Sequence, residues 1–217
     1  MSSDVVNLTL RIVTVGDIAL PRWMTPYAQH LFEIPTHMSP QERLMLLQTA
    51  IGLEQGFTAI EIGSYLGAST AFLAFGALQR NGTVHAIDVW TNQAMGAEGE
   101  RDTWTEFTTN VAPFKHYIVP HRGDSVAVSR EVGIIPSDLL FIDGDHRYAA
   151  VVKDLQCWLP SLKEGGILAM HDFDQPTVKQ AFDDVVGGAV MQPPQVVERL
   201  MICRPKPLAT PSATAAR

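Results

Sequence analysis

Three aspartates stand at positions where carboxylates could do chemistry. Asp88 and Asp143 each end a short run of strand-forming residues, and Asp172 lies just past a third run. Carboxylate oxygens accept hydrogen bonds from hydroxyl groups and bind divalent metal ions. If the runs are parallel strands, their carboxyl ends meet at one edge of a sheet. We therefore expect a ligand site at that edge, with Asp88 placed to bind a ribose. The alternative is that an aspartate at a strand end is merely solvated and binds no ligand.

A loop containing two glycines joins one of the predicted strands to a helix. Residues 61–70 read EIGSYLGAST, between the apolar run 57–62 and a small-residue run that stops at Asn81-Gly82. Glycines let a backbone approach a ligand closely, and the helix that follows directs unpaired N–H groups toward polar ligand atoms. The pattern predicts a nucleotide-like cofactor, whereas a plain strand-to-helix turn is the alternative.

Two further segments could contact the base of such a ligand. Asp124 and Ser125 follow the strand predicted at 116–120 and could hydrogen-bond an adenine edge. Trp90 could stack on the base or face a sulfonium through cation–π attraction. An ordinary polar turn and plain aromatic packing are the respective alternatives.

The hydrophobic pattern alternates between strands and helices. Apolar runs predict strands at 6–12 with an extension to 15, 57–62, 83–88, 116–120, 138–143, 167–170 and 196–203, and helical periodicity predicts helices after Ser39, at 68–80, around Trp104 and Phe107, at 148–162 and at 178–186. This order predicts an α/β fold, namely a Rossmann-like, doubly wound, mostly parallel sheet with helices on both faces. We expect an antiparallel last strand, and an N-terminal strand and helical lid outside the main repeat.

The length of 217 residues suits one compact domain. Ser39-Pro40-Gln41-Glu42 reads as a capping box, and we expect the main domain to span residues 39–205. Residues 1–38 would supply the N-terminal strand and a lid segment, with a second polar lid at 92–101, and residues 206–217 a disordered tail. The first strand needs a covering partner, which either this domain or a second subunit in a homodimer would supply.

Composition narrows the class of partner. The net charge of −7 and the lack of a Lys/Arg stripe argue against nucleic acid and favour a small molecule. Cys157 and Cys203 do not suggest a disulfide framework, and the first residues carry no positively charged leader or spanning segment. We expect a cytoplasmic protein with no membrane partner.

Four motifs together carry a family resemblance. EIGSYLGAST, AIDVW, LLFIDGDHRY and GGILAMHD, in this order and spacing, resemble a class I S-adenosylmethionine-dependent methyltransferase over about residues 39–204. More narrowly, the chain is similar to small-molecule O-methyltransferases of natural-product biosynthesis, including macrolide-sugar and aminocoumarin-sugar enzymes, and to proteins labelled cephalosporin hydroxylase. A dinucleotide dehydrogenase fits less well because the loop lacks Gly-x-Gly-x-x-Gly.

The resemblance implies a cofactor site and a metal site. The residues expected to bind S-adenosylmethionine are Glu61, Gly63, Ser64, Tyr65, Gly67, Ser69, Asp88, Trp90, Asp124, Ser125 and Asp143. A divalent metal, with Mg²⁺ or Mn²⁺ foremost, is expected on Asp143, His171 and Asp172. Relatives carry an acidic pair where His171 and Asp172 stand, and an imidazole widens the choice of metal. A hydrogen-bonding role behind the metal ligands is the alternative for His171.

The resemblance also implies a reaction. His146 has the spacing of the general base in the sugar-methylating relatives, with Asp143 as its catalytic partner. A capping role for His146, and Asp145 as base, are alternatives. The expected activity is metal-assisted O-methylation of a small hydroxylated metabolite. Rival hypotheses are an iron-dependent hydroxylase, with His171 and Asp172 in a facial triad, and a non-catalytic cofactor-binding protein.

Overall fold

Strands and helices alternate along the chain, as the hydrophobic pattern predicts. The computed structural model of the protein describes residues 12–15, 18–21, 24–91, 99 and 101–206. The strands are β1 (Ile12–Val15), β2 (Ile18–Pro21), β3 (Thr58–Ile62), β4 (Thr83–Asp88), β5 (Ile118–Arg122), β6 (Ser137–Ile142), β7 (Leu162–Met170), β8 (Gln195–Val197) and β9 (Leu200–Cys203). The helices are α1 (Thr25–Glu33), α2 (Pro40–Gly52), α3 (Ala68–Arg80), α4 (Trp104–Asn110), α5 (Ser125–Val132), α6 (Tyr148–Trp158) and α7 (Pro176–Val185), with short 3₁₀ helices at Ala112–Tyr117 and Leu159–Ser161.

Seven strands form one sheet in the order β5-β4-β3-β6-β7-β9-β8. The first five in this order are parallel, whereas β9 pairs antiparallel with both β7 and β8. This arrangement confirms the predicted Rossmann-like sheet with an antiparallel end. The strand order reverses between β3 and β6, so their carboxyl ends border the crevice where such sheets bind ligands.

The sheet is covered on both faces because its central strands are apolar on both sides. Alternate residues such as Ala59 and Phe141 belong to a core cluster shared with α1, α2 and α3. Their neighbours Ile60 and Leu140 belong to a second cluster, shared with α6 and α7. Near-continuous apolar strands are typical of a buried parallel sheet. Packing on both faces therefore holds β3 and β6 in place, and with them the positions of their carboxyl ends.

Three predicted strands need correction. The strand predicted at 167–170 begins at Leu162, and the helix predicted at 148–162 ends at Trp158, followed by a 3₁₀ turn at Leu159–Ser161. The single strand predicted at 196–203 is a hairpin of β8 and β9, whose turn places Glu198 at φ +53°. The strand predicted at 116–120 is β5, which begins at Ile118. It begins later than predicted because a 3₁₀ helix with Pro113 in its first turn extends to Tyr117.

The N-terminal segment is described in part. β1 and β2 form a separate antiparallel pair, and α1 follows them. The predicted strand residues 6–11, most of the polar lid at 92–101, and the tail from 207 onward lie outside the described residues. The domain bounds 1–38, 39–205 and 206–217 stay predictions. Among the described helices, none has the length and apolar character needed to cross a membrane.

The predicted capping box at the start of α2 is confirmed. The Ser39 hydroxyl accepts a hydrogen bond from the Glu42 N–H at 3.2 Å, and the Glu42 carboxylate accepts one from the Ser39 N–H at 2.7 Å. Ser39→Ala should lower the free energy of unfolding by about 1 kcal/mol, because one helix N–H loses its partner. Urea denaturation would measure this loss. Thr49→Ala, inside the same helix, should cause no comparable loss because alanine is the better helix former, and equal stability of Ser39→Ala and the wild type would contradict the assignment.

Candidate active site

The glycine loop, residues 63–67 between β3 and α3, brings the ends of two central strands into contact. Gly63 has φ +86°, a left-handed conformation that favours glycine. A Cβ at this position would lie 2.1 Å from the carbonyl oxygen of Asp143. The Asp143 N–H donates to the Ile62 carbonyl at 2.8 Å. Because no side chain intervenes, the end of β3 lies directly against the end of β6.

Asp88, at the end of β4, holds the same loop from the other side. Its Oδ2 accepts hydrogen bonds from the backbone N–H groups of Ser64 at 2.9 Å and Tyr65 at 2.8 Å. Its Oδ1 accepts one from the Trp90 N–H at 2.6 Å. Tyr65 and Trp90 both have positive φ, at +44° and +50°. The carboxylate thus stabilises two backbone conformations that side-chain-bearing residues seldom adopt.

Glu61 lies beneath the loop and is completely buried. The Ser64 hydroxyl donates to its Oε2 at 2.8 Å, and the Thr70 hydroxyl donates to the same oxygen. Burial raises the pKa of Glu61 to about 7, although the hydroxyls of Ser69, Thr70 and Ser64 act to lower it. Oε1 has no hydrogen-bond partner among the described residues. A buried oxygen without a partner is costly, so this atom is a candidate to receive a donor from a ligand.

A cleft of about 980 Å³ opens at the carboxyl ends of β3, β4 and β5. Five of the predicted site residues line it together, namely Gly63, Asp88, Asp124, Ser125 and His146. Asp124 also caps α5, and the Ser125 hydroxyl donates to Asp154, a cleft-lining residue that the sequence analysis missed. Burial raises the pKa of Asp154 to about 6. The sequence signal that could have identified Asp154 is a carboxylate on the otherwise apolar, buried face of α6.

Trp90 does not lie in this cleft as a free aromatic face. Its residue is 0% exposed, and its ring packs on Trp104 and Phe107 with centroid distances of 4.7 and 4.6 Å. The indole N–H donates to the Tyr65 carbonyl at 3.1 Å. This position favours the packing alternative over the predicted stacking on a base. The contribution of Trp90 to the site is its backbone N–H, which binds Asp88.

Asp143, His146 and Asp172 form a group that we call the strand-end cluster. The His146 Nε2 lies 3.0 Å from the Asp172 Oδ2 and 3.9 Å from the Asp143 Oδ1. One potential ligand atom from each residue lies within 4.8 Å of the others, so the cluster could hold a metal ion. A set of two carboxylates and one imidazole is less selective for Mg²⁺ than an all-oxygen set. It can also bind Mn²⁺ and other transition metals.

His171, the predicted metal ligand, lies behind this cluster. Its side chain is 2% exposed, and its Nδ1 lies 3.1 Å from the Asp143 Oδ1 and 3.2 Å from the Asp172 Oδ2. Its Nε2 lies 3.2 Å from the Glu42 Oε2. Both ring nitrogens therefore face carboxylates, which fits the hydrogen-bonding alternative. The geometry instead gives His146 the ligand position beside the two aspartates.

Glu42 and Arg199 belong to the same network, and the sequence analysis assigned neither to the site. The Arg199 guanidinium donates to the Asp172 Oδ1 at 2.9 Å, and the Arg199 backbone N–H donates to the Glu42 Oε1 at 2.8 Å. No local sequence pattern links residues 157 positions apart. The capping box pointed to Glu42 as a helix cap only.

The carboxylates keep both imidazoles basic. Hydrogen bonds to Asp143 and Asp172 raise the pKa of His146 to about 9. Burial alone would lower the pKa of His171, but hydrogen bonds to the same two carboxylates raise it to about 10. Burial alone would raise the pKa of Asp172, but hydrogen bonds from the two histidines hold it well below its usual range. Both rings are thus protonated near neutral pH when no metal competes for the carboxylates.

Contacts around His146 distinguish it from Asp145. The His146 Nδ1 lies 3.1 Å from the Gln175 amide nitrogen, so the ring lies between Gln175 and the carboxylates of Asp143 and Asp172 instead of capping a helix. Its side chain is 36% exposed and lines the cleft. Asp145 accepts hydrogen bonds from the Arg147 N–H and guanidinium, which lower its pKa. A carboxylate held in this way is a weak proton acceptor.

Comparison with known proteins identifies related sequences and folds. A family model described as Methyltransferase domain matches residues 60–173, just over half of the 217 residues. Among solved structures, TomG from Streptomyces achromogenes, an O-methyltransferase of tomaymycin synthesis in complex with SAM, is 18% identical, with 91% of this chain and 93% of that chain covered and a TM-score of 0.60. Cofactor-bound Rv0187 from MTB is 18% identical, with 84% and 89% covered and a TM-score of 0.63. CalS11, a TDP-rhamnose 3′-O-methyltransferase of calicheamicin biosynthesis, is 15% identical, with 88% and 96% covered and a TM-score of 0.56. At these identities the structures establish a shared fold.

The contact between Gly63 and Asp143 yields a stability prediction. Gly63→Ala should destabilise the chain strongly, because its Cβ would overlap the Asp143 carbonyl and the loop would have to move. Gly165→Ala is the matched control, since Gly165 has φ +73° but nothing within 4 Å of an added Cβ. Gly165→Ala should lower the free energy of unfolding by only about 1 to 2 kcal/mol, the cost of holding a residue with a Cβ in the left-handed conformation. Equal losses for the two variants in urea denaturation would argue against the close approach.

The raised pKa of His146 yields a pH prediction for the metal-free protein. A folded-state pKa of about 9, above its ordinary value of 6.5, means that its contribution to stability is complete below about pH 6.5 and lost as the pH rises through about 9. In EDTA, the free energy of unfolding of the wild type should fall over this range, and that of His146→Gln should fall less. His116→Gln removes an exposed histidine and is the control. The same slope in wild type and His146→Gln would contradict the prediction.

Proposed function

The chain belongs to the Methyltransferase domain family, and on that premise we propose that it is an S-adenosylmethionine-dependent O-methyltransferase acting on a small hydroxylated metabolite. The observation that carries the proposal is that Gly63, Asp88 and His146 line the same cleft. Residues expected to bind the methyl donor and the expected base therefore face one shared space. The net charge of −7 favours a small acceptor over nucleic acid.

The donor half of the cleft would bind S-adenosylmethionine, which supplies a methyl group on a positively charged sulfur. We assign the ribose to Asp88 and the adenine to the segment of Asp124 and Ser125, since all three line the cleft. The methionine part is assigned to the glycine loop and its supports, with Glu61, Gly63, Ser64, Tyr65, Gly67 and Ser69 as the expected residues. The unpartnered Oε1 of Glu61 supports this end, because an ammonium group is the kind of donor that would satisfy it.

The acceptor half would hold a divalent metal, Mg²⁺ or Mn²⁺, on the carboxylates of Asp143 and Asp172. The fit rests on one oxygen of each carboxylate lying within 4.8 Å of the other. A bound cation would lower the pKa of the acceptor hydroxyl and help to orient it. We reserve His146 for proton transfer, because one nitrogen cannot hold a metal and accept a proton at the same time. His171, the third metal ligand expected from the sequence, would then support the carboxylates from behind.

His146 is the proposed general base. Its Nε2 faces the carboxylates of Asp143 and Asp172, where it would take the hydroxyl proton as the acceptor oxygen attacks the methyl carbon. The carbon–sulfur bond of the donor would break in the same step, and S-adenosylhomocysteine would leave. Asp172, 3.0 Å away, would stabilise the imidazolium that forms. Gln175 would hold the Nδ1–H through its amide oxygen after a half-turn of the amide group. Asp145 is the weaker candidate because Arg147 occupies both of its oxygens.

The rival activities receive less support. A facial triad for iron needs two histidines and one carboxylate, whereas the strand-end cluster contains one histidine and two aspartates. A non-catalytic protein would need no imidazole placed in the cleft beside two carboxylates, yet His146 has this position.

Binding and turnover of the purified protein would test this function separately. The wild type should bind S-adenosylhomocysteine in calorimetry and transfer a labelled methyl group from S-adenosylmethionine to at least one member of a panel of sugars, phenols and carboxylic acids. His146→Ala should keep cofactor binding but lose about 10²- to 10⁴-fold in kcat. Asp143→Ala should bind the cofactor less tightly and lose turnover.

Metal removal and a control variant complete the test. EDTA should abolish turnover, and added Mg²⁺ or Mn²⁺ should restore it. His116→Ala, an exposed histidine outside the cleft, should retain wild-type rates. Full activity of His146→Ala together with full activity in EDTA would overturn the mechanism, and lack of cofactor binding by the wild type would overturn the function.

A further inference from the structure

Glu42 has a role beyond the capping box of α2. Its residue is 0% exposed, and its two carboxylate oxygens accept hydrogen bonds from different parts of the chain. Oε2 accepts from the Ser39 N–H at 2.7 Å, and Oε1 accepts from the Arg199 N–H in the β8–β9 turn at 2.8 Å. Because both donors are backbone groups, the carboxylate cannot turn without losing one of them. Its orientation is therefore fixed.

The fixed carboxylate faces His171, whose imidazole spans the distance to the strand-end cluster. The His171 Nε2 lies 3.2 Å from the Glu42 Oε2, and on the opposite side of the ring the Nδ1 lies 3.1 Å from the Asp143 Oδ1 and 3.2 Å from the Asp172 Oδ2. The Nε2 atom has no well-aligned hydrogen bond among the described residues, so its approach to Glu42 is a close polar contact. The buried ring thus has a carboxylate on each side, which limits how far it can shift.

We propose that Glu42 is a positioning residue for the Asp143 and Asp172 carboxylates and that it acts through His171. The inference rests on the proposed function, which makes these carboxylates the metal ligands. Capping alone does not require the arrangement, because a capping-box side chain needs to reach only the N-cap N–H. Groups that orient metal ligands from behind typically change metal affinity by about 10- to 100-fold when they are removed.

Comparison of Glu42→Gln with Ser39→Ala would test this role. Glu42→Gln keeps the side-chain length but removes the charge that faces His171, whereas Ser39→Ala removes the other half of the capping box and leaves the Glu42 carboxylate in place. Calorimetry with Mn²⁺, in the presence of S-adenosylhomocysteine, should give an affinity about 10-fold or more weaker for Glu42→Gln. Ser39→Ala should match the wild type despite its lower stability. Both variants should bind S-adenosylhomocysteine within about 2-fold of the wild type, since neither touches the donor half.

Crystal structures separate this inference from the metal proposal. In Glu42→Gln the His171 ring or the two carboxylates should be displaced, and in Ser39→Ala they should superpose on the wild type. If the wild type binds no Mn²⁺, the metal part of the proposed function fails, and these positions alone decide the role of Glu42. Should Glu42→Gln fail to fold, His171→Gln tests the same link from its other end. Unchanged carboxylate positions and unchanged Mn²⁺ affinity in the variant that folds would overturn the inference.

Discussion

The close approach of the Gly63 backbone to the Asp143 carbonyl is the constraint on which the candidate active site depends. It joins the carboxyl ends of β3 and β6, where the strand order of the sheet reverses. The loop that follows Gly63 carries the N–H groups bound by Asp88, and the segment that follows Asp143 carries His146. A side chain between the two ends would separate these halves. One missing Cβ thus allows Gly63, Asp88 and the proposed base His146 to line the same cleft.

Charge balance is the second constraint, because the site gathers ionisable groups in a largely buried place. Glu42, Asp143 and Asp172 face the rings of His146 and His171, and Arg199 binds Asp172 as well. Each carboxylate therefore has a basic partner without any metal. A buried charge that loses its partner is strongly destabilising, so the members of this network cannot be replaced independently. A metal at the strand-end cluster would have to compete with His146 and His171 for the same oxygens.

Much of this architecture could be predicted from the sequence, because local patterns report local structure. The bounds of α3 and β4 and the capping box of α2 agree with their predictions. Of the three strand-end aspartates, Asp143 and Asp172 lie in one cluster, whereas Asp88 binds the glycine loop. The hairpin of β8 and β9 was missed because apolar periodicity does not register a two-residue turn. Trp90 was misjudged because a sequence does not show which way an aromatic ring faces. The contacts of Glu42 with His171 and Arg199 depend on tertiary packing between distant elements, which no motif encodes.

The donor half of the site depends mainly on backbone groups and the acceptor half on side chains. This difference explains which half could be identified from the sequence. The donor half depends on backbone groups, namely the glycine loop and the N–H groups held by Asp88, and its geometry requires glycine at a position such as Gly63. Such requirements leave a recognisable motif. The acceptor half depends on side chains that follow β6 and β7 and on one from the β8–β9 turn, which tertiary packing brings together. Since each charged group there needs its partner, the network is recognised only as a whole, and no short motif marks it. The sequence therefore specifies the fold and the methyl donor more closely than the molecule that receives the methyl group.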